Sequence, residues 1–110
     1  MSTGAVGTTK IFENEKTIVW EFVLEPGAST PVHTHEHDYM FYVLDGAPLD
    51  VFDANGKPLD QFDAKSGAVF AFTIDGDYLV SVDGKHRVPA THSARNAGPT
   101  RYREVLVETK

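Results

Sequence analysis

Apolar residues recur along the chain in short runs with a period of two, each closed by Gly, Pro, Asn or Asp. Thr17 to Leu24 places Ile18, Trp20, Phe22 and Leu24 on one face of an extended segment, and Pro26-Gly27 ends it. Tyr39 to Asp45 predicts a second strand stopped by Gly46. Leu49 to Asp53 and Leu59 to Phe62 flank Asn55-Gly56, a dipeptide favoured in type I′ hairpin turns because both central residues need positive φ. Pro58 has no N–H to donate, so it fits the return strand only near its beginning or on a sheet edge. Further short strands are predicted at Ala68 to Ile74, Asp77 to Val82, His86 to Val88 and Arg101 to Val107, whereas Ser93 to Asn96 reads as a turn. Nowhere do apolar positions follow the i, i+3, i+4, i+7 pattern over three helical turns. The class is therefore all-β, with about eight to ten strands closing as a sandwich or barrel, and a small barrel can hold one ligand in its mouth.

At 110 residues the chain is expected to form a single domain over 1-110, with residues 1–8, rich in Gly, Thr and Ala, as a loose tail. Sixteen Asp and Glu against ten Lys and Arg give a net charge of −6, and the basic residues gather no closer than the spaced trio Arg95, Arg101 and Arg103. Such a surface repels a phosphate backbone, so neither nucleic acid nor an anionic membrane is expected as a partner. No apolar run reaches the length of a membrane span and the first residues lack a basic, then apolar leader, so a cytoplasmic location is expected. The absence of cysteine excludes disulfides, thiolate zinc sites, iron–sulfur clusters and cysteine nucleophiles.

His33, His35 and His37 stand at alternate positions in Pro-Val-His-Thr-His-Glu-His-Asp-Tyr. In extended backbone His33 and His35 project to the same side, where their ring nitrogens can converge on one ion. His92, far downstream in Pro89-Ala-Thr-His-Ser, offers a third ligand from a separate strand. A close pair with a distant third is how nitrogen-ligand metal sites are built, which sets a divalent metal ahead of a chance group of surface histidines. His86 stands alone and reads as an ordinary structural histidine.

These residues resemble the first motif of the cupin family, in which Gly is followed after five residues by His-x-His, then after three or four by Glu, then after six by Gly. Gly27, His33, His35 and Gly46 stand at those spacings, and Tyr39 takes the place of the glutamate. Pro89, His92 and Asn96 match the end of the second motif. There the segment between Pro89 and His92 is shortened, the internal glycine is missing, and Gly84 lies one residue too close to Pro89. The resemblance spans residues 27 to 96 and implies a cupin-type jelly-roll β-barrel with a metal held by His33, His35 and His92. It also implies a homodimer formed through edge strands, with Trp20 and Phe22 either in the core or on the pairing surface.

Resemblance to the thiol dioxygenase and β-diketone-cleaving branches of the cupins implies a neutral three-histidine face with open positions for water and substrate. Losing the carboxylate raises the charge of a divalent site from +1 to +2, which favours anionic substrates and Lewis acidity. In the alternatives, Tyr39 ligates as phenolate, serves as a catalytic acid or base, or is an aromatic wall, or else His37 or Glu36 supplies the missing ligand. Phe41 and Val43 share the face of Tyr39 and are expected to line the cavity, where an inward Arg103 would anchor a substrate carboxylate. The expected function is a mononuclear metal-dependent dioxygenase, isomerase or lyase acting on a small polar or anionic organic molecule. Fe(II) is favoured as the metal, with Ni, Zn, Mn or Cu as candidates. The other class of function is a non-catalytic module that binds metal or a small molecule.

Overall fold

A computed structural model describes residues 6–110, and its eleven strands form two antiparallel sheets. In chain order they are β1 (Thr9–Glu13), β2 (Thr17–Leu24), β3 (His33–Thr34), β4 (Asp38–Asp45), β5 (Ala47–Asp53), β6 (Pro58–Ala64), β7 (Val69–Asp75), β8 (Tyr78–Ser81), β9 (Arg87–Pro89), β10 (Thr91–Asn96) and β11 (Tyr102–Thr109). The larger sheet runs β1-β2-β11-β4-β7-β8-β9 and the smaller β3-β10-β5-β6. Alternation turns one face of each inward: Phe22, Val43, Phe72 and Leu106 of the larger sheet share one apolar core with Leu49, Val51 and Phe62 of the smaller. No helix occurs among the described residues, so none is long and apolar enough to cross a membrane.

Pro58 opens β6, the edge strand of the smaller sheet, where its missing N–H costs no ladder bond. The hairpin before it departs from the expected type I′ turn. Gly56 N–H donates to Asp53 O at 3.0 Å, so the turn is Asp53 to Gly56, and positive φ falls on Gly56 alone at 82°, not on Asn55. The Asp53 carboxylate sets this register by accepting the backbone N–H groups of Asn55 and Lys57 at 2.8 and 2.9 Å. Of the expected tail at residues 1–8, the first five lie outside the described residues. Of the remaining three, Val6 is buried, and the exposed Thr8 donates its N–H to Glu21 O and accepts the Val23 N–H on its hydroxyl.

The turn expected at Ser93 to Asn96 is strand β10, whose polar, small-residue sequence carries little strand propensity. Two partners hold it extended, β3 on one side and β5 on the other. At its end the fully buried Asn96 donates to Leu24 O and Thr100 O at 3.0 and 2.8 Å and accepts the Gly98 N–H at 2.9 Å. It ties both sheets to the loop that leads into β11. Replacing Asn96 with alanine leaves the buried Leu24 carbonyl, the Thr100 carbonyl and the Gly98 N–H without these partners, so urea unfolding is expected to show a loss of about 2 kcal/mol.

Candidate metal centre

The segment that carries the first two histidines is delivered by a tight turn. Ala28 N–H donates to Glu25 O, with Pro26 and Gly27 as the central residues and Gly27 at φ 79°, a conformation open to glycine. From there the chain runs along β10, with Thr30 N–H on Ala94 O and His35 N–H on Ala90 O. Within that ladder His33 pairs directly with His92, which puts the two imidazoles on the same inner face. His35, two residues on, joins them. The ring centroids form a near-equilateral triangle with sides of 4.8, 4.9 and 5.0 Å, and one ring nitrogen from each lies within 4.8 Å of the others.

Two backbone carbonyls settle the tautomers. His33 Nδ1 meets Pro31 O at 3.0 Å and His92 Nδ1 meets Pro89 O at 2.7 Å. A carbonyl oxygen only accepts, so both Nδ1 atoms carry the proton and both Nε2 atoms keep a free lone pair. A ligating histidine is held in this way, its other nitrogen donating to a fixed acceptor. His35 Nδ1 is buried without a hydrogen-bond partner among the described residues. Burial holds all three imidazoles below their ordinary pKa, His92 at about 4, and in His35 the neighbouring His92 and His33 add to it. At neutral pH the cluster is uncharged and its lone pairs are available, which is the donor set a divalent transition metal requires.

The cluster closes one side of a mainly apolar cavity of about 70 Å³, whose walls include Phe22, Tyr39, Phe41, Phe72, Glu104 and Leu106. Tyr39 stacks on His35 with centroids 4.3 Å apart and continues to Phe72 at 5.4 Å, the geometry of an aromatic wall. Burial, with the Glu104 and Glu108 carboxylates adding to it, pushes the Tyr39 phenol well above its ordinary value, so this environment opposes a phenolate. Phe41 lines the cavity as expected, whereas Val43, expected beside it, is fully buried in the core and is not among the cavity's lining residues. Glu36 is exposed and His37 half-buried in the connection before β4, and neither belongs to the histidine cluster. His86 packs on Phe62 and does not belong to the histidine cluster.

Arg103 does not face the cavity. It is on the outer face of the larger sheet, with Glu21 at 3.3 Å and Asp45 at 3.4 Å, because β11 turns Tyr102, Glu104, Leu106 and Glu108 inward. The buried carboxyls of Glu104 and Glu108 are what the sequence reading missed. The available signal was their shared parity with Tyr102 and Leu106. Phe22 belongs to the core and packs edge-on against Tyr102, while half-buried Trp20 donates its indole N–H to Glu108 at 2.6 Å.

Neither the family models nor the curated proteins compared with the sequence give a match. Solved structures do. A cupin domain from Bordetella pertussis Tohama I is similar over 93% of this chain and 90% of its own, with 22% identity and a TM-score of 0.67. The fold is that of the cupins. The polyketide cyclase RemF from Streptomyces resistomycificus shares this cupin fold over 91% of this chain and 61% of its own, at 19% identity and a TM-score of 0.54. A cupin-superfamily sugar phosphate isomerase from Silicibacter pomeroyi does so over 87% and 52%, at 24% identity and a TM-score of 0.55. The cupin scaffold thus carries more than one chemistry among these neighbours, and the site has to speak for the function.

Proposed function

We propose that this protein holds one divalent metal ion on His33, His35 and His92 and with it converts a small oxygen-bearing organic molecule, as an isomerase, a lyase or a dioxygenase. The observation that carries this reading is the pair of proline carbonyls that fix the Nδ1 protons of His33 and His92 and turn both Nε2 lone pairs inward beside His35. The bound ion would supply Lewis acidity, polarising an oxygen coordinated to it. The chain's own contribution is a cavity with room for only a few heavy atoms, an apolar wall that excludes bulk water, and Tyr39 against the imidazole of His35. We assign Tyr39 the role of a wall residue whose neutral hydroxyl hydrogen-bonds the bound molecule, not a ligand.

Elemental analysis of protein purified without an affinity tag tests the reading. Near-stoichiometric metal, native or after reconstitution with Fe(II), Ni(II), Mn(II), Cu(II) or Zn(II), supports it, and its identity selects the reactions to assay. No metal from any of these would sink it. Replacing Tyr39 with phenylalanine is expected to leave metal content within twofold of the wild type and to lower turnover. Metal lost in that variant would make the phenol a ligand instead. Metal and ligand retained by the wild type without turnover would leave a binding module.

A further inference from the structure

Glu104 projects from β11 in the larger sheet into the cavity that the histidines enter from the side of the smaller one. It is 4% exposed, and the Tyr102 hydroxyl donates to one carboxyl oxygen at 2.5 Å, which leaves the second oxygen to whatever occupies the cavity. Burying a carboxyl group is costly, and the cavity wall contains no Lys or Arg to offset it. A side chain needed only to accept from Tyr102 would be glutamine at lower cost, so the acid itself calls for an explanation. Glu108 provides the contrast on the same strand face. It is equally buried, takes the Trp20 indole N–H, and stays out of the cavity wall. Burial also pushes Glu104 up to about 8, so at neutral pH it holds a proton that it can donate.

We propose that Glu104 is the second polar anchor of the site, its carboxyl group hydrogen-bonding one oxygen of a small organic molecule whose other oxygen faces the three imidazoles. This inference rests on the proposed metal-dependent function and narrows its substrate. The molecule has few heavy atoms and two oxygen functions, as in a short 2-hydroxy acid or the matching carbonyl compound. Phe22, Phe72 and Leu106 surround its carbon skeleton. An acid that still holds its proton donates to an oxygen without repelling a carboxylate, which fills the role that Arg103, on the outer face, does not.

The test uses the whole chain loaded with Co(II), whose visible spectrum reports changes in the metal's ligands, titrated with glycolate. Infrared difference spectra follow the carbonyl band of a neutral carboxylic acid. That band is expected in the wild type, absent from Glu104→Gln, and displaced when glycolate is added. Glycolate affinity is expected to fall about tenfold or more in Glu104→Leu and less in Glu104→Gln, which keeps an N–H donor. Co(II) content should match the wild type in both variants. Equal glycolate affinity in the wild type and Glu104→Leu, a band unmoved by glycolate, or no glycolate binding to the Co(II) protein overturns the role of Glu104 and leaves the metal site standing. A wild type that takes up no Co(II) overturns the function and this inference with it. Should the leucine variant fail to fold, the near-isosteric glutamine variant and the wild-type band decide.

Discussion

Replacing His35 with alanine is expected to weaken binding of a divalent metal by about two orders of magnitude, as one of three protein ligands is lost from a site whose binding energy they share. His35 is the informative position. Its buried Nδ1 has no hydrogen-bond partner among the described residues, whereas its backbone N–H is held by Ala90 O, so the side chain can be removed while the ladder stays in place. His37→Ala is the control. It stands two residues further along, outside the cluster, and should change affinity less than twofold. Competition titrations against a chelator, with elemental analysis of each purified variant, measure both. Unchanged affinity in His35→Ala, or a matching loss in His37→Ala, would remove the three-histidine assignment. The same burial sets the acid limit of binding. Protons compete with a metal for an ordinary imidazole near pH 6.5, but His92 is held at about 4 and its neighbours are lowered too, so metal should be retained well below pH 6.

What the sequence revealed follows from how local its signals are. Period-2 alternation located β2 and β4 to within a residue, since their apolar side chains both build the strand and cover the core. The spacing of His33 and His35 was legible for the same reason: an i, i+2 pair in extended backbone shares a face whatever surrounds it. Strand β10 was not legible, because residues such as Ser93, Ala94 and Arg95 are held extended by β5 on one side, with Ser29 and Thr30 bonding Arg95 and Ala94 on the other, and not by their own preferences. The parity of β11 misled because both of its faces are apolar in part. Val105 and Val107 lie outward beside Tyr42 and Met40 of β4, while Leu106 lies inward beside Phe41. Only the register across three strands shows that Glu104 and Glu108 are the inward residues and Arg103 the outward one. The acid in the cavity was therefore hidden by tertiary pairing.

That acid should also shape the pH dependence of folding. Relative to Glu104→Gln, the metal-free wild type is expected to lose about 2 kcal/mol of stability between pH 6.5 and pH 8. In the unfolded chain Glu104 ionises near its ordinary 4.5, and in the folded protein burial raises it to about 8, with the Tyr102 hydrogen bond only partly opposing this. The folded state therefore binds more protons across that window. Stability contributed by the neutral acid is fully present below 4.5 and is lost as pH rises through 8. The histidines act in the opposite sense, since their lowered values make the folded state bind fewer protons than the unfolded chain between about 4 and 6.5. They do so equally in both proteins and cancel from the difference. The groups facing Glu104, Tyr39 on β4 and Tyr102 on its own strand, are phenols that burial keeps protonated throughout this range. Urea unfolding of both proteins at half-unit pH intervals gives the difference directly. Parallel curves would mean that Glu104 is ionised in the folded state at neutral pH, and the cavity would then present a carboxylate that repels anionic molecules and favours cationic ones.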